Sequence, residues 1–168
     1  MQTLEGAPPG RVFAEWYRSE FPRVSRALTL ASGDPLLSEE AAAEAFARAL
    51  ATWSRVGAMD SPGGWVYTVA LREMRRTWRR TRLEQRSVER LRLERVAPPA
   101  APEDELWSAV ANLPPRARTA IALRYVADLP EAEIADVMNI ARGTVAATLS
   151  NARKQLAAVL RPAMNGEN

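Results

Sequence analysis

Apolar residues recur every three or four positions along most of this chain, the spacing of one face of a helix. No stretch rich in Val, Ile and Thr alternates as a half-buried strand would. Gly and Pro are nearly absent from the periodic stretches and gather between them, at APPG (7–10), SGDP (32–35), SPGG (61–64), APPAAP (97–102) and LPP (113–115). The pattern predicts an all-α chain.

Phe13, Trp16, Tyr17 and Phe21 mark a first amphipathic helix that SGDP ends. A second is predicted from about Leu36 to Arg55, with Phe46, Leu50 and Trp53 on one face and Glu39, Glu40 and Glu44 on the other. The loop VGAMDSPGG then leads to a third helix from about Trp65, which opens apolar and turns basic. VAPPAAP (96–102) cannot hold a helix and reads as a semi-rigid linker. Two small helical domains follow from this, 11–95 and 104–161, joined by a Pro/Ala linker at 96–103.

In the second domain, Leu106, Val110 and Leu113 predict a short helix, and Ala117, Ala120, Ile121 and Tyr125 another entered through Pro114 and Pro115. A short helix with Ile134, Ala135 and Met138 inward comes next, then a tight turn with Ile140 and Gly143. The closing helix carries Val145, Leu149, Ala152 and Leu156 at spacings of four, three and four. This succession is that of a helix-turn-helix, although any antiparallel helix pair shares the spacing.

Hydrophobic residues make up 47% of the 168, charged ones 26%, and the mean hydropathy is −0.26, enough apolar material for a core. There is no uninterrupted apolar run of about 20 residues, and MQTLEGAPPG has neither the basic nor the apolar part of a leader, so no membrane insertion and a cytoplasmic location are expected. Cysteine and histidine are absent, which removes disulfides, zinc fingers and most acid–base or nucleophilic catalysis. Neither a metal nor a cofactor is expected. Glu103, Asp104 and Glu105 are clustered carboxylates, but at the start of a helix they favour its dipole more simply than they make an active site.

Charge is uneven. Residues 72–95 hold ten Arg and four Glu, a local +6 in a chain of net +3. Arg72, Arg75, Arg76, Arg79 and Arg80 carry only Glu73 among them and fall at helical spacings, a stripe suited to a phosphate backbone. A solvated helix face with internal pairing is the plainer reading. Trp78 lies within this run and suits the core better than a stacking role.

The blocks SEEAAAEAFARAL, GGWVYTVALREMRRTWRR, the Pro/Ala linker and LPPRARTAIALRYVADLPEAEIADVMNIARGTVAATLSNARKQL together resemble the extracytoplasmic-function group of bacterial RNA polymerase sigma factors. The resemblance implies a non-catalytic polymerase subunit that confers promoter specificity. Glu39, Glu40 and Glu44 then become partners for core RNA polymerase, and the five arginines become a clamp on the minus-ten strand, with 56–61 as the rim of a base pocket. By position, the residues that would read the minus-thirty-five element are Arg142, Thr144, Ala146, Ala147, Ser150, Asn151 and Lys154, with Arg153 near phosphate. The sequence departs from the family pattern at Leu37, Ala43, Arg72 and Asn139. Asn139 stands where the turn usually has Gly, and Asn tolerates a left-handed backbone.

The implied partners are core RNA polymerase, promoter DNA and, by family habit, an anti-sigma factor. Two other readings stay open on the residues alone: a stand-alone helix-turn-helix regulator, and a sigma-like adaptor that works by protein contacts, for which the Ala-rich outward face of the last helix speaks.

Overall fold

The computed structural model describes residues 9–88 and 105–164, and among these every regular element is helical. The linker expected at 96–103 lies outside the described residues. Helix α1 spans Pro9–Ser32, α2 Pro35–Ala51, α3 Trp53–Val56, α4 Pro62–Val88, α5 Glu105–Ala111, α6 Pro115–Ile121, α7 Glu131–Met138 and α8 Arg142–Met164, with a π-helical turn at Ala122–Val126 after α6.

The first reversal is built by local chemistry. Gly33 takes φ +74°, a region costly for a residue with a Cβ, and its N–H bonds the Thr29 carbonyl at 2.8 Å to close α1. Asp34 then caps α2, its Oδ1 accepting from the Leu37 N–H at 3.0 Å, with Pro35 as the first helical residue. Helices α1, α2 and α4 pack together around Val24, Leu28, Phe46, Val66 and Met74. Trp16 and Trp53 close one end with ring centroids 4.8 Å apart, and Phe13 meets Trp53 edge-on at 5.1 Å.

The second helix is shorter than the periodicity predicts. It breaks at Thr52, which leaves the helical region at φ −125° and whose hydroxyl bonds the Arg48 carbonyl at 2.9 Å, and α3 starts anew at Trp53. The buried stripe of α2 runs through Leu37, Ala41, Ala42, Ala45, Phe46 and Ala49, which leaves Leu50 52% exposed and off the face expected for it. The third helix starts earlier than expected, at Pro62, because Ser61 Oγ accepts from the Gly64 N–H at 3.1 Å and draws the two glycines into the first turn.

In the second half the inward residues of the helix-turn-helix are those expected: Ile134, Ala135, Met138, Val145, Leu149 and Ala152 are buried and Leu156 packs against them. Asn139 adopts φ 54° and ψ 51° at the end of α7, the left-handed turn that the sequence anticipated. Tyr125 differs from expectation. The π-helical turn, whose Ala127 N–H reaches back five residues to Ala122, inserts an extra residue into the register. Ala122 and Leu123 therefore face the core while Tyr125 is 56% exposed.

The two halves pack on each other. α1 touches α6 and the π-helical turn, and α4 touches α7. Arg118 Nε donates to the Ala31 carbonyl at 2.9 Å, Arg23 Nη2 to the Ala127 carbonyl at 3.2 Å, and Ser61 Oγ to Glu133 Oε2 at 2.6 Å.

Candidate nucleic-acid interface

Helix α4 has two opposite faces. Val66, Tyr67, Ala70, Leu71 and Met74 are buried against α1 and α2. Arg72, Arg75, Arg76, Arg79 and Arg80 are exposed on the far side. The one acid among them is shared: Glu73 Oε1 bonds Arg48 of α2 at 2.8 Å, and its Oε2 meets Arg76 of the stripe at the longer distance of 4.0 Å. Arg48 also holds Glu44 at 2.7 Å, and these carboxylates, Glu44 first, raise its pKa. Arg72, Arg75 and Arg79 pair with no described acid, so the stripe keeps most of its charge for a ligand.

Trp78 corrects the sequence reading twice. It is 42% exposed, not core, and by helical rotation it continues the seam of Ala70 and Met74, away from the centre of the arginine stripe. Helix α4, at 27 residues, is longer than the 17-residue α2 on which it packs. The loop before α4 also needs a correction: Val56 is fully buried, so only residues 57–61 remain as a rim, with Gly57, Ala58 and Asp60 exposed.

Helix α8 presents Arg142, Thr144, Ala147, Asn151 and Lys154 to solvent, with Ala146 and Ser150 half-buried beside them. Between Arg142 and Asn151 its outward positions, Thr144, Ala146, Ala147 and Ser150, carry only short side chains. Arg153 is engaged within the protein: its Nε donates to the Leu149 carbonyl at 3.2 Å and its Nη1 to the Tyr125 hydroxyl at 3.4 Å. On α2, Glu39, Glu40 and Glu44 are exposed in a row that also carries Leu36 and Leu50.

Residues that periodicity passed over are those acting across the halves. Arg23, Arg118 and the Ser61–Glu133 pair join positions 72 to 104 apart in the chain, and no local signal marks them. A cleft of about 160 Å³ lies between α4 and α7, lined by Ser61, Gly64, Trp65, Thr68, Glu133, Asp136 and Val137. Among the described residues no cluster of three or more His, Cys, Asp or Glu could hold a metal ion, and no helix is long and apolar enough to cross a membrane.

Residues 16–84 match the family described as Sigma-70 region 2, and residues 103–156 match Sigma-70, region 4. The chain belongs to the sigma-70 family. As a sigma factor of the extracytoplasmic-function group it binds core RNA polymerase and directs transcription initiation at promoters, with the helix-turn-helix of region 4 as a DNA-binding unit. Sigma factors as a family are not enzymes.

Among solved structures, the chain is similar to one from the co-crystal structure of the sigma factor RpoE with the anti-sigma factor NepR from Bartonella quintana. Identity is 19% over 90% of this chain and 98% of that one, with a TM-score of 0.75, a likeness of fold. A chain of the RsbN–BldN complex aligns at 22% identity over 92% of this sigma factor and all of that chain, but with a TM-score of 0.34 it bears no structural argument. No curated protein matches the sequence.

Proposed function

We propose that this sigma factor holds the minus-ten strand on the arginine face of α4 and reads the minus-thirty-five element with α8. Arg72, Arg75, Arg76, Arg79 and Arg80 neutralise phosphates, while residues 57–61 rim the pocket that receives an unstacked base. The observation that carries the reading is five exposed arginines on one face with a single acid, Glu73, whose short ion pair goes to Arg48 of α2 and not to the stripe, which stays net cationic.

On α8, Asn151 bonds adenine and Ala146 or Ala147 meets a thymine methyl; Arg142, Thr144, Ser150 and Lys154 flank them, and Lys154 reaches phosphate. Glu39, Glu40 and Glu44 dock on cationic side chains of the polymerase. The working units are 11–95, a linker at 96–103, and 104–161. The protein acts in the cytoplasm without catalytic activity, and an anti-sigma factor is its regulatory partner, a reading supported by the similar sigma factor solved with one.

The test is promoter binding by polymerase reconstituted with this chain, measured against salt. Each arginine of the stripe changed to alanine is expected to weaken binding evenly across promoters and to lower the salt slope by about one. An unchanged slope in the Arg72→Ala, Arg75→Ala double variant would overturn the assignment.

A further inference from the structure

Three departures from regular helix meet where α6 ends beside α8. The π-helical turn at Ala122–Val126 closes with the Ala127 N–H on the Ala122 carbonyl at 3.1 Å, and the Leu129 N–H reaches back to the Leu123 carbonyl at 3.0 Å. Between them Asp128 holds φ 57°, a left-handed backbone that a residue with a Cβ adopts only when its surroundings impose it. Arg124 braces the loop, its Nη1 donating to the Leu129 carbonyl at 3.4 Å and standing 3.7 Å from Asp128 Oδ1. Departures of this kind persist where they place a side chain that a regular helix would misplace.

The side chain placed is Tyr125. In an uninterrupted helix it would follow Ala117 and Ile121 at steps of four on the buried stripe, and the extra residue of the π-helical turn rotates it away by about 100°. It is the most exposed of the three tyrosines, with the Arg124 guanidinium 6.0 Å from its ring centre. Its hydroxyl accepts from Arg153 Nη1 of α8 at 3.4 Å. Arg153 is thereby held at two points, since its Nε donates to the Leu149 carbonyl at 3.2 Å.

Charge indicates what Arg153 is held for. Helix α8 contains no Asp or Glu, and no acid among the described residues pairs with Arg153 or Lys154. Arg124 has Asp128 beside it, so the unneutralised charge of the cluster is that of Arg153. Arg153 follows Arg142, Ala146 and Ser150 at steps of four, four and three, which puts it on one flank of the outward face. A guanidinium on that flank meets the phosphates bordering a groove that the helix enters, and its Nη2 takes no hydrogen-bond partner among the described residues. A long side chain fixed beforehand loses less rotamer freedom when it binds.

We infer that Tyr125 is a positioning residue for promoter DNA: turned outward by the π-helical turn, its hydroxyl holds the Arg153 guanidinium on the flank of α8, with Nη2 left for a backbone phosphate. The inference rests on the reading of α8 as the helix that enters the minus-thirty-five groove.

The experiment uses core polymerase reconstituted with the full chain and a promoter duplex selected from a random pool by the parent holoenzyme. Promoter affinity is measured against salt, and affinity for core polymerase is measured in parallel. Tyr125→Phe keeps the ring beside Arg124 and loses only the acceptor; it is expected to weaken promoter binding about threefold with base preference unchanged. Arg153→Ala is expected to weaken it about tenfold and to lower the salt slope by about one. With Arg153→Ala in place, Tyr125→Phe is expected to cost nothing further, a coupling that a merely structural tyrosine would not show. Core affinity and the unfolding temperature stay at the parent's values in both variants.

Parental promoter affinity in Tyr125→Phe overturns the inference, and so does an equal loss with and without Arg153. An unchanged salt slope in Arg153→Ala removes the phosphate contact and overturns it as well. Weaker core binding with promoter affinity of the assembled enzyme intact would give the surface to the polymerase instead. Asn151→Ala tests the reading of α8 separately: if base preference does not change there while the losses at Tyr125 and Arg153 remain coupled, base reading by Asn151 fails and the phosphate grip stands.

Discussion

Arg48 and Glu73 are joined across α2 and α4 at 2.8 Å, and this pair decides the charge of a surface to which Arg48 does not itself belong. With Arg48 also gripping Glu44, the acid inside the arginine run faces α2. In Arg48→Ala, Glu73 loses its α2 partner and can close on Arg76, which it meets at 4.0 Å in the parent, and on Arg72. The expected result is weaker minus-ten binding and a salt slope shallower by about one, measured by titration of forked DNA. Adding Glu73→Gln restores both. Arg48 lies at the surface, where solvent screens the pair, so the variant should keep its fold and unfold at nearly the parent's temperature. A slope that stays put in Arg48→Ala would remove Glu73 from the account.

Asn151 is an exposed amide on α8, and an amide side chain can bond adenine bidentately, the contact proposed for it. Asn151→Ala is expected to cost about 1–3 kcal/mol of promoter affinity at one base position of the minus-thirty-five element and little elsewhere. Competition among promoters substituted one base at a time provides the measurement, and a uniform loss at every position would argue for a phosphate contact instead.

The left-handed Asn139 links α7 to α8 and so fixes the angle of the reading helix. Asn139→Ala places a Cβ in that region without a short amide to support it and is expected to destabilise the chain by about 1 kcal/mol. Asn139→Gly should be neutral or better. Thermal unfolding of the two variants gives the order directly; alanine as stable as glycine would mean that the turn relaxes.

Tyr67 is 1% exposed and its hydroxyl has no hydrogen-bond partner. Burial pushes its pKa far above the ordinary value near 10, with Glu20 adding to the rise and Arg23 opposing it. The folded protein keeps the proton that the unfolded chain releases above about pH 10. Stability from this group is therefore intact below pH 10 and falls as pH rises further, by up to about 1.4 kcal/mol per pH unit. Tyr67→Phe should remove that share of the alkaline loss and, by deleting an unsatisfied hydroxyl, raise stability near neutral pH by about 1 kcal/mol. Denaturant melts at pH 7 and pH 11 test both parts.

The elements, the helix-turn-helix and the polar faces were legible in the chain because helix periodicity, caps and breakers act over a few residues. The SGDP break announces the first reversal, Asn139 stands where the family resemblance puts a left-handed turn, and Val145, Leu149 and Ala152 announce the inward face of α8. Leu50, Trp78 and Tyr125 were misread for a common reason: an apolar stripe says which way a helix would face a partner, not how far that partner extends or whether a π-helical turn shifts the register. The cross-contacts of Arg23, Arg118 and Ser61 with Glu133 were beyond any local reading. Their free energy depends on surfaces brought together from residues 72 to 104 apart, and only the packed chain brings an acid of α7 to the first turn of α4.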